Sequence, residues 1–271
     1  VRGEFAASRW LAGLRPAFDA SGAAAERLER VAAANGIVVT TGQQPGLFGG
    51  PTYTLLKAFS ALALADRIER ETGIPTAPVF WAATDDADFA EASWTAIAED
   101  GGVKRLSVQR TGKDGLVMAE MPIGDTSEQY AALVAAAGSA PHAGVLEALK
   151  VAYDPEATVG SAYVRFLRAL LEPHGIAVLD AWHPATRAAA RPTLVQALRR
   201  APGVQAWVLG HARQSPYPME SGSHMRRPWL PSGHTPQEGV LVTLPATHQR
   251  PAPPSARVQL GALQIPATHV A

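Results

Sequence analysis

The sequence predicts an α/β fold: a Rossmann-like parallel sheet with helices on both faces and a small antiparallel β insertion. Three observations carry this reading. Apolar runs without polar alternation, at Ile37 to Thr40, Ala77 to Ala82 and Ile176 to Leu179, have the pattern of strands buried on both faces of a parallel sheet. A helical stretch of about twenty residues separates the first two runs, which makes a βαβ unit with parallel strands and a right-handed crossover. Helix-forming stretches precede the first run and surround the third.

In order along the chain, residues 23 to 34 (AAAERLERVAAA) are strong helix formers closed by Asn35-Gly36, a left-handed stop. The first strand follows, then an eleven-residue loop, Thr41 to Pro51, with four glycines and two prolines that can continue neither element. A helix over about 52 to 72 ends at Gly73. Its first half (Leu55, Leu56, Phe59, Leu62, Leu64) is expected to enter the core and its charged last turns to leave it. After the second strand, Trp94 to Ala98, Val103 to Val108 and Leu116 to Ile123 read as short strands of an antiparallel insertion. Helices are predicted at about 126 to 137 and 158 to 172, the latter with Val159, Tyr163, Phe166, Leu167 and Leu170 on one face. A third core strand ends at Asp180, and a helix over about 184 to 200 follows.

The 271 residues allow one full domain or two small ones. Twenty-four basic residues against 24 acidic ones leave no global positive field, so nucleic acid is not an expected partner. The absence of cysteine excludes disulfides, thiolate nucleophiles and cysteine-ligated zinc, and fits a reducing cytoplasm. No apolar run reaches the roughly 18 residues of a membrane span, and no signal peptide opens the chain. The expectation is therefore a soluble cytoplasmic protein that needs no membrane. Neither HExxH nor GxSxG occurs, which argues against zinc-hydrolase and serine-hydrolase chemistry.

Two segments carry candidate chemistry. The loop Thr41-Gly42-Gln43-Gln44-Pro45-Gly46-Leu47-Phe48-Gly49-Gly50-Pro51 stands between a strand and a helix N-terminus, where free backbone N–H groups and the helix dipole favour anions. It is neither a Walker loop nor a GxGxxG fingerprint. Gln43 and Gln44 can orient a polar ligand or cap the loop, and Lys57 can reach an anion at the loop or lie along the surface. In the second segment, Asp85, Asp86 and Asp88 follow the second strand at the sheet's carboxyl edge. Three carboxylates so close together suit Mg²⁺ or a substrate amine, with helix capping as the alternative. Asp180 ends a third strand and either projects to the same edge or caps the next helix.

Residues 38 to 65 (VVTTGQQPGLFGGPTYTLLKAFSALALA) and 78 to 93 (PVFWAATDDADFAEAS) resemble the two signature blocks of the bacillithiol biosynthesis cysteine-adding enzymes, the BshC family. GIAVLDAWHPATR at 175 to 187 is similar to the family's strand ending in aspartate before a helix. The resemblance covers about residues 1 to 205 and implies a Rossmann-like core similar to nucleotidyltransferases. It also implies cytoplasmic ligation of L-cysteine to glucosaminyl-malate, the last step towards bacillithiol, with ATP and Mg²⁺ as the cofactors of carboxylate activation. By position, Thr41, Gly42, Gln43, Gln44, Gly46, Gly49, Gly50 and Tyr53, with Asp180, would bind substrate or nucleotide. Lys57, Asp85, Asp86 and Asp88 would be catalytic. The family's acidic block usually reads Glu-Asp-His-Asp, and Asp85 and Ala87 stand here at its Glu and His positions.

Family members are about twice as long and carry a coiled-coil region that supports dimerisation. This chain shows no such pattern, so a family-type homodimer is not expected of it. The predicted division is a core over 1 to 208 and a tail over 209 to 271. The tail holds ten prolines and five histidines but only two acidic residues, Glu220 and Glu238, and is expected to be irregular or an out-of-frame translation. The alternative function is accordingly a truncated, catalytically incompetent member that retains a small-molecule or nucleotide pocket.

Overall fold

The computed structural model describes residues 7–99, 101–138, 143–214, 257–260 and 263–266. In chain order its first elements are α1 (Ala7–Phe18), α2 (Gly22–Ala34), β1 (Ile37–Gln43), α3 (Tyr53–Thr72) and β2 (Thr76–Ala82). An insertion follows: α4 (Phe89–Ala92), β3 (Trp94–Glu99), β4 (Gly102–Ser107), α5 (Ser127–Ala137) and α6 (Ala143–Ala152). The chain returns to the sheet through α7 (Val159–Leu171), β5 (Ala177–Asp180) and α8 (Pro184–Gln214). A hairpin of β6 (Arg257–Leu260) and β7 (Leu263–Pro266) lies in a separate unit, Val240–Ala271.

β1, β2 and β5 form a parallel sheet in the order β1-β2-β5. Side chains alternate across it, and each set meets a different pair of helices. Ala77, Val79, Ala177 and Leu179 pack with Leu11, Phe18, Leu28 and Val31 of α1 and α2. Phe80, Ala82 and Val178 pack on the other face with Ala58 of α3 and with Tyr163, Val164, Leu167 and Leu171 of α7. The predicted parallel βαβ unit with helices on both faces is therefore present, and β3 and β4 form the predicted antiparallel pair.

Four expectations need correction. β1 is an edge strand whose side chains are half-buried, or exposed at Val38, rather than a strand buried on both faces, because the two apolar layers that cover β2 and β5 include none of its residues. The face of α3 that enters the core is Thr54, Ala58, Ala61, Ala65 and Ile68, running its whole length, while Leu56 is 63% exposed and Phe59 is exposed. Small residues at spacings of four and three let the helix lie close to the sheet, with the predicted Leu55 and Leu62 partly buried against the same core and Leu56 and Phe59 turned out of it. Residues 116 to 123 form turns with a single bridge, Pro122 to Thr158, rather than a strand. Their alternation reflects burial of Met118, Met121 and Ile123 in the insertion's own core, with Leu149, Tyr153 and Phe166. Finally, α8 continues to Gln214, well past residue 200. The sequence reading also lacked α1 and α6. Most of 209 to 271, including the proposed out-of-frame stretch, lies outside the described residues.

An ion-pair network ties α2 and α3 to the start of β2. Arg27 donates to the Thr76 carbonyl at 2.7 Å and to Asp66 at 2.6 Å, and Arg30 pairs with Glu69. The Glu69 carboxylate also accepts the Thr76 backbone N–H at 3.1 Å. The hydrogen bond from Arg30, seconded by that from Thr76, holds the Glu69 carboxyl below the usual glutamate range. A lowered folded-state pKa gives stability that is complete above the unfolded value, about 4.3, and is lost as pH falls through the folded one. Glu69→Gln is expected to lower stability at pH 7 and to flatten its decline below about pH 4, read by thermal melts across pH 3 to 7.

Candidate functional site

The three parallel strands end at one edge, and their register aligns the ends. Gln43 pairs with Ala82, and Ala82 pairs with Asp180. With about 4.8 Å between neighbouring strands, Gln43 and Asp180 stand roughly 10 Å apart across the edge. The segments that follow β1, β2 and β5 all carry sequence-predicted residues, so the topology collects them here.

Thr41 and Gly42 precede Gln43, the last residue of β1, and are half-buried and paired with Phe80 and Trp81. A Cβ at Gly42 would lie 2.6 Å from the Trp81 carbonyl oxygen, so the close strand pairing requires glycine. Beyond Gln43 the chain makes a 3-10 turn over Leu47–Gly49. Gly46 and Gly50 fold onto one another, and a Cβ on Gly46 would lie 2.6 Å from the Gly50 Cα. Between them Phe48 holds a left-handed backbone (φ 54°, ψ 38°), which is strained for a bulky residue. Its ring packs edge-on against Tyr153 at 5.1 Å between centroids, a contact that compensates for the strain.

Tyr153 is the loop's central fastening, and the sequence reading missed it. Its hydroxyl donates to the Gly46 carbonyl oxygen at 3.1 Å and accepts the Gly49 N–H at 3.1 Å. It comes from the end of the insertion, more than a hundred residues away, so no local pattern could identify it. Burial raises its pKa above the ordinary tyrosine range and keeps the O–H intact as donor. Because the Gly49 and Gly50 N–H groups both bond within the loop, the expected cradle of free amides is reduced. The first turn of α3, in contrast, has no side-chain cap.

The Lys57 ammonium reaches back to the loop, donating to Gln43 Oε1 at 2.8 Å and lying 5.2 Å from the Tyr53 ring centroid. Gln43 Nε2 donates to Gln44 Oε1 at 3.1 Å. Lys57, Gln43 and Gln44 thus form one chain of hydrogen bonds, with Tyr53 beneath the ammonium.

The acidic loop is braced rather than loose. Asp86 Oδ1 accepts the Asp88 N–H at 2.7 Å, and Asp88 caps the short α4 by accepting from Glu91 N–H at 3.1 Å. Asp85 is half-buried beside them. The carbonyls of Thr84 and Asp86 accept the N–H groups of Ala119 and Met118, at 2.9 and 2.7 Å, so the insertion holds this loop as well. Among the described residues no three His, Asp or Glu side chains converge as a metal-ligand set. Asp180 Oδ1 accepts from the buried Thr84 hydroxyl and from Trp182 N–H at 3.1 Å, which links the ends of β2 and β5. Thr84, Trp182 and Glu120, whose Oε1 accepts Trp182 Nε1–H at 3.2 Å, are further members of the edge that the sequence reading did not name.

Residues 6–216 match the family described as "Bacillithiol biosynthesis BshC, N-terminal Rossmann-like domain". A BshC protein of Solibacter usitatus, named as a candidate cysteine ligase, is 32% identical over 192 residues, which is 69% of this chain and 35% of that protein. The similarly named protein of Heliobacterium modesticaldum is 43% identical over 105 residues, 39% of this chain and 19% of its own length. That of Chlorobaculum tepidum is 30% identical over 171 residues, 60% and 30% of the two chains. The matched region thus spans about a third or less of these relatives.

Tyr153→Phe keeps the ring on Phe48 and removes the hydroxyl, leaving the Gly49 N–H and the Gly46 carbonyl bonded only to each other. A loss of about 0.5 to 1.5 kcal/mol is expected in denaturant unfolding. Faster hydrogen exchange confined to residues 46 to 50 would locate the effect in the loop.

Proposed function

The chain belongs to the bacillithiol biosynthesis BshC family through its N-terminal Rossmann-like domain, and from that premise we propose that it acts in joining L-cysteine to glucosaminyl-malate. The observation that carries this reading is the convergence of the glycine loop, the Lys57–Gln43–Gln44 chain and the acidic loop on one sheet edge. Amide formation needs a cysteine carboxyl held still and its negative charge neutralised. It also needs an amine delivered to the carboxyl carbon with somewhere for its proton to go.

Lys57 is the charge-neutralising group, because its ammonium is already fixed at the loop. The amides of Gln43 and Gln44 orient the polar ends of the substrate. Asp85 and Asp86, at the end of the central strand, receive the amine and its proton. As the new C–N bond forms, a C–O bond of the cysteine carboxyl breaks; Mg-ATP, when bound, would supply the phosphoryl or adenylyl group with which that carboxyl oxygen departs.

The residues present fit that cofactor in a particular way. Magnesium commonly takes only one or two carboxylates and completes its shell with water and phosphate oxygens, so one of Asp85 and Asp86 suffices to hold it and the other remains for the amine. Lys57 and the uncapped first turn of α3 suit the phosphates. Among the described residues no helix is long and apolar enough to cross a membrane. A cytoplasmic reaction is part of the proposal.

The test is a mass-spectrometric assay of the purified chain with cysteine, glucosaminyl-malate and Mg-ATP. A cysteine adduct is the expected product. Binding of glucosaminyl-malate without product would identify a chain that keeps the pocket but does not turn over, and absence of both would overturn the reading. Lys57→Ala and Asp85→Asn should each lower rate or affinity tenfold or more. Unchanged values in both variants would reject the site assignment.

A further inference from the structure

Two cations flank the acidic loop, and each sits on an aromatic ring. On the β1 side this is Lys57 with Tyr53. On the β5 side the guanidinium carbon of Arg187 lies 4.1 Å from the Trp182 ring centroid. Neither has a carboxylate within ion-pair distance among the described residues; Lys57 donates to the neutral amide of Gln43, and Arg187 is exposed.

The acids nearest to Trp182 are already engaged. Asp180 takes the Thr84 hydroxyl and the Trp182 N–H, and Glu120 takes the Trp182 indole N–H. These two bonds hold Trp182 at its backbone and at its ring, so the indole is a fixed seat for the guanidinium. A guanidinium lying over a ring keeps its edge N–H groups for a planar, bidentate acceptor, and a carboxylate is the acceptor whose geometry matches. Arg187 stands in the first turn of α8, at the carboxyl edge of the sheet, where the N-terminal end of the helix dipole adds to its charge.

We propose that Arg187, seated on Trp182, is a carboxylate-binding residue at the β5 end of the site, and that the ligand engaged there is an organic acid. Identifying that acid as the malyl end of glucosaminyl-malate rests on the function proposed above; the carboxylate subsite itself rests on the Trp182–Arg187 geometry. Lys57 and Arg187 then hold opposite ends of the reactants, with the acidic loop between them.

The experiment is calorimetric titration of the full chain and of Arg187→Ala and Arg187→Lys with glucosaminyl-malate and, separately, with L-malate. Equal thermal midpoints serve as the folding control. Arg187→Gln is the replacement variant if alanine perturbs α8. The expected result is at least a tenfold loss of affinity in Arg187→Ala that Arg187→Lys does not restore, because lysine keeps the charge but lacks the fork. Binding of glucosaminyl-malate that is equal in wild type and Arg187→Ala overturns the subsite and leaves the proposed function standing. If wild type binds L-malate through Arg187 but not glucosaminyl-malate, the subsite stands and the proposed function falls. Failure of wild type to bind either probe overturns both.

Discussion

A strand that must be buried on both faces and paired on both edges governs this molecule. β2 is that strand: five of its seven side chains are almost wholly covered in succession, and β1 and β5 occupy its two edges. Its alternating side chains need two apolar layers, which α1 and α2 supply on one side and α3 and α7 on the other. Parallel pairing on both edges places three strand ends at the same rim, where backbone groups lose their ladder partners and loops must begin. The site is a consequence of how the centre of the sheet is satisfied.

The insertion between β2 and α7 does more than decorate this core. It supplies the Tyr153 hydroxyl that closes the glycine loop and the Met118 and Ala119 N–H groups that hold the acidic loop. Gly160, in the first turn of α7, donates to the Met118 carbonyl at 2.7 Å and packs so tightly that a Cβ would lie 2.8 Å from the Ala119 Cα. One piece of chain thus braces both chemical loops against the same helix. Preorganisation of this kind favours any ligand bound at the rim, because ordering the loops at the moment of binding would reduce the affinity.

Charge at the rim is distributed with the same economy. Asp86, Asp88 and Asp180 are tied to backbone N–H groups, and Asp180 also to a hydroxyl; the cations stand to either side, each against an aromatic face. Among the described residues these carboxylates accept from neutral donors and form no ion pair with Lys57 or Arg187. The rim therefore offers both signs of charge to a ligand.

Much of this was legible in the residues themselves. Apolar runs without alternation gave the three strands, the Thr41 to Pro51 composition marked the loop, and the position of Asp85, Asp86 and Asp88 after a strand placed them at the carboxyl edge. These features are local, since periodicity, turn chemistry and chain direction act over a few residues. Which strand would be central was not local: Ile37 to Thr40 and Ala77 to Ala82 share one pattern, and only the order β1-β2-β5 made the first an edge. The same holds for the alanine stripe of α3, for Tyr153 reaching across a hundred residues, and for Trp182 holding Arg187. The sequence by itself determined the three core strands, the loops at their ends and most of the helices; the tertiary structure alone decided which of them meet, because contacts between distant segments depend on register and packing that no single segment encodes.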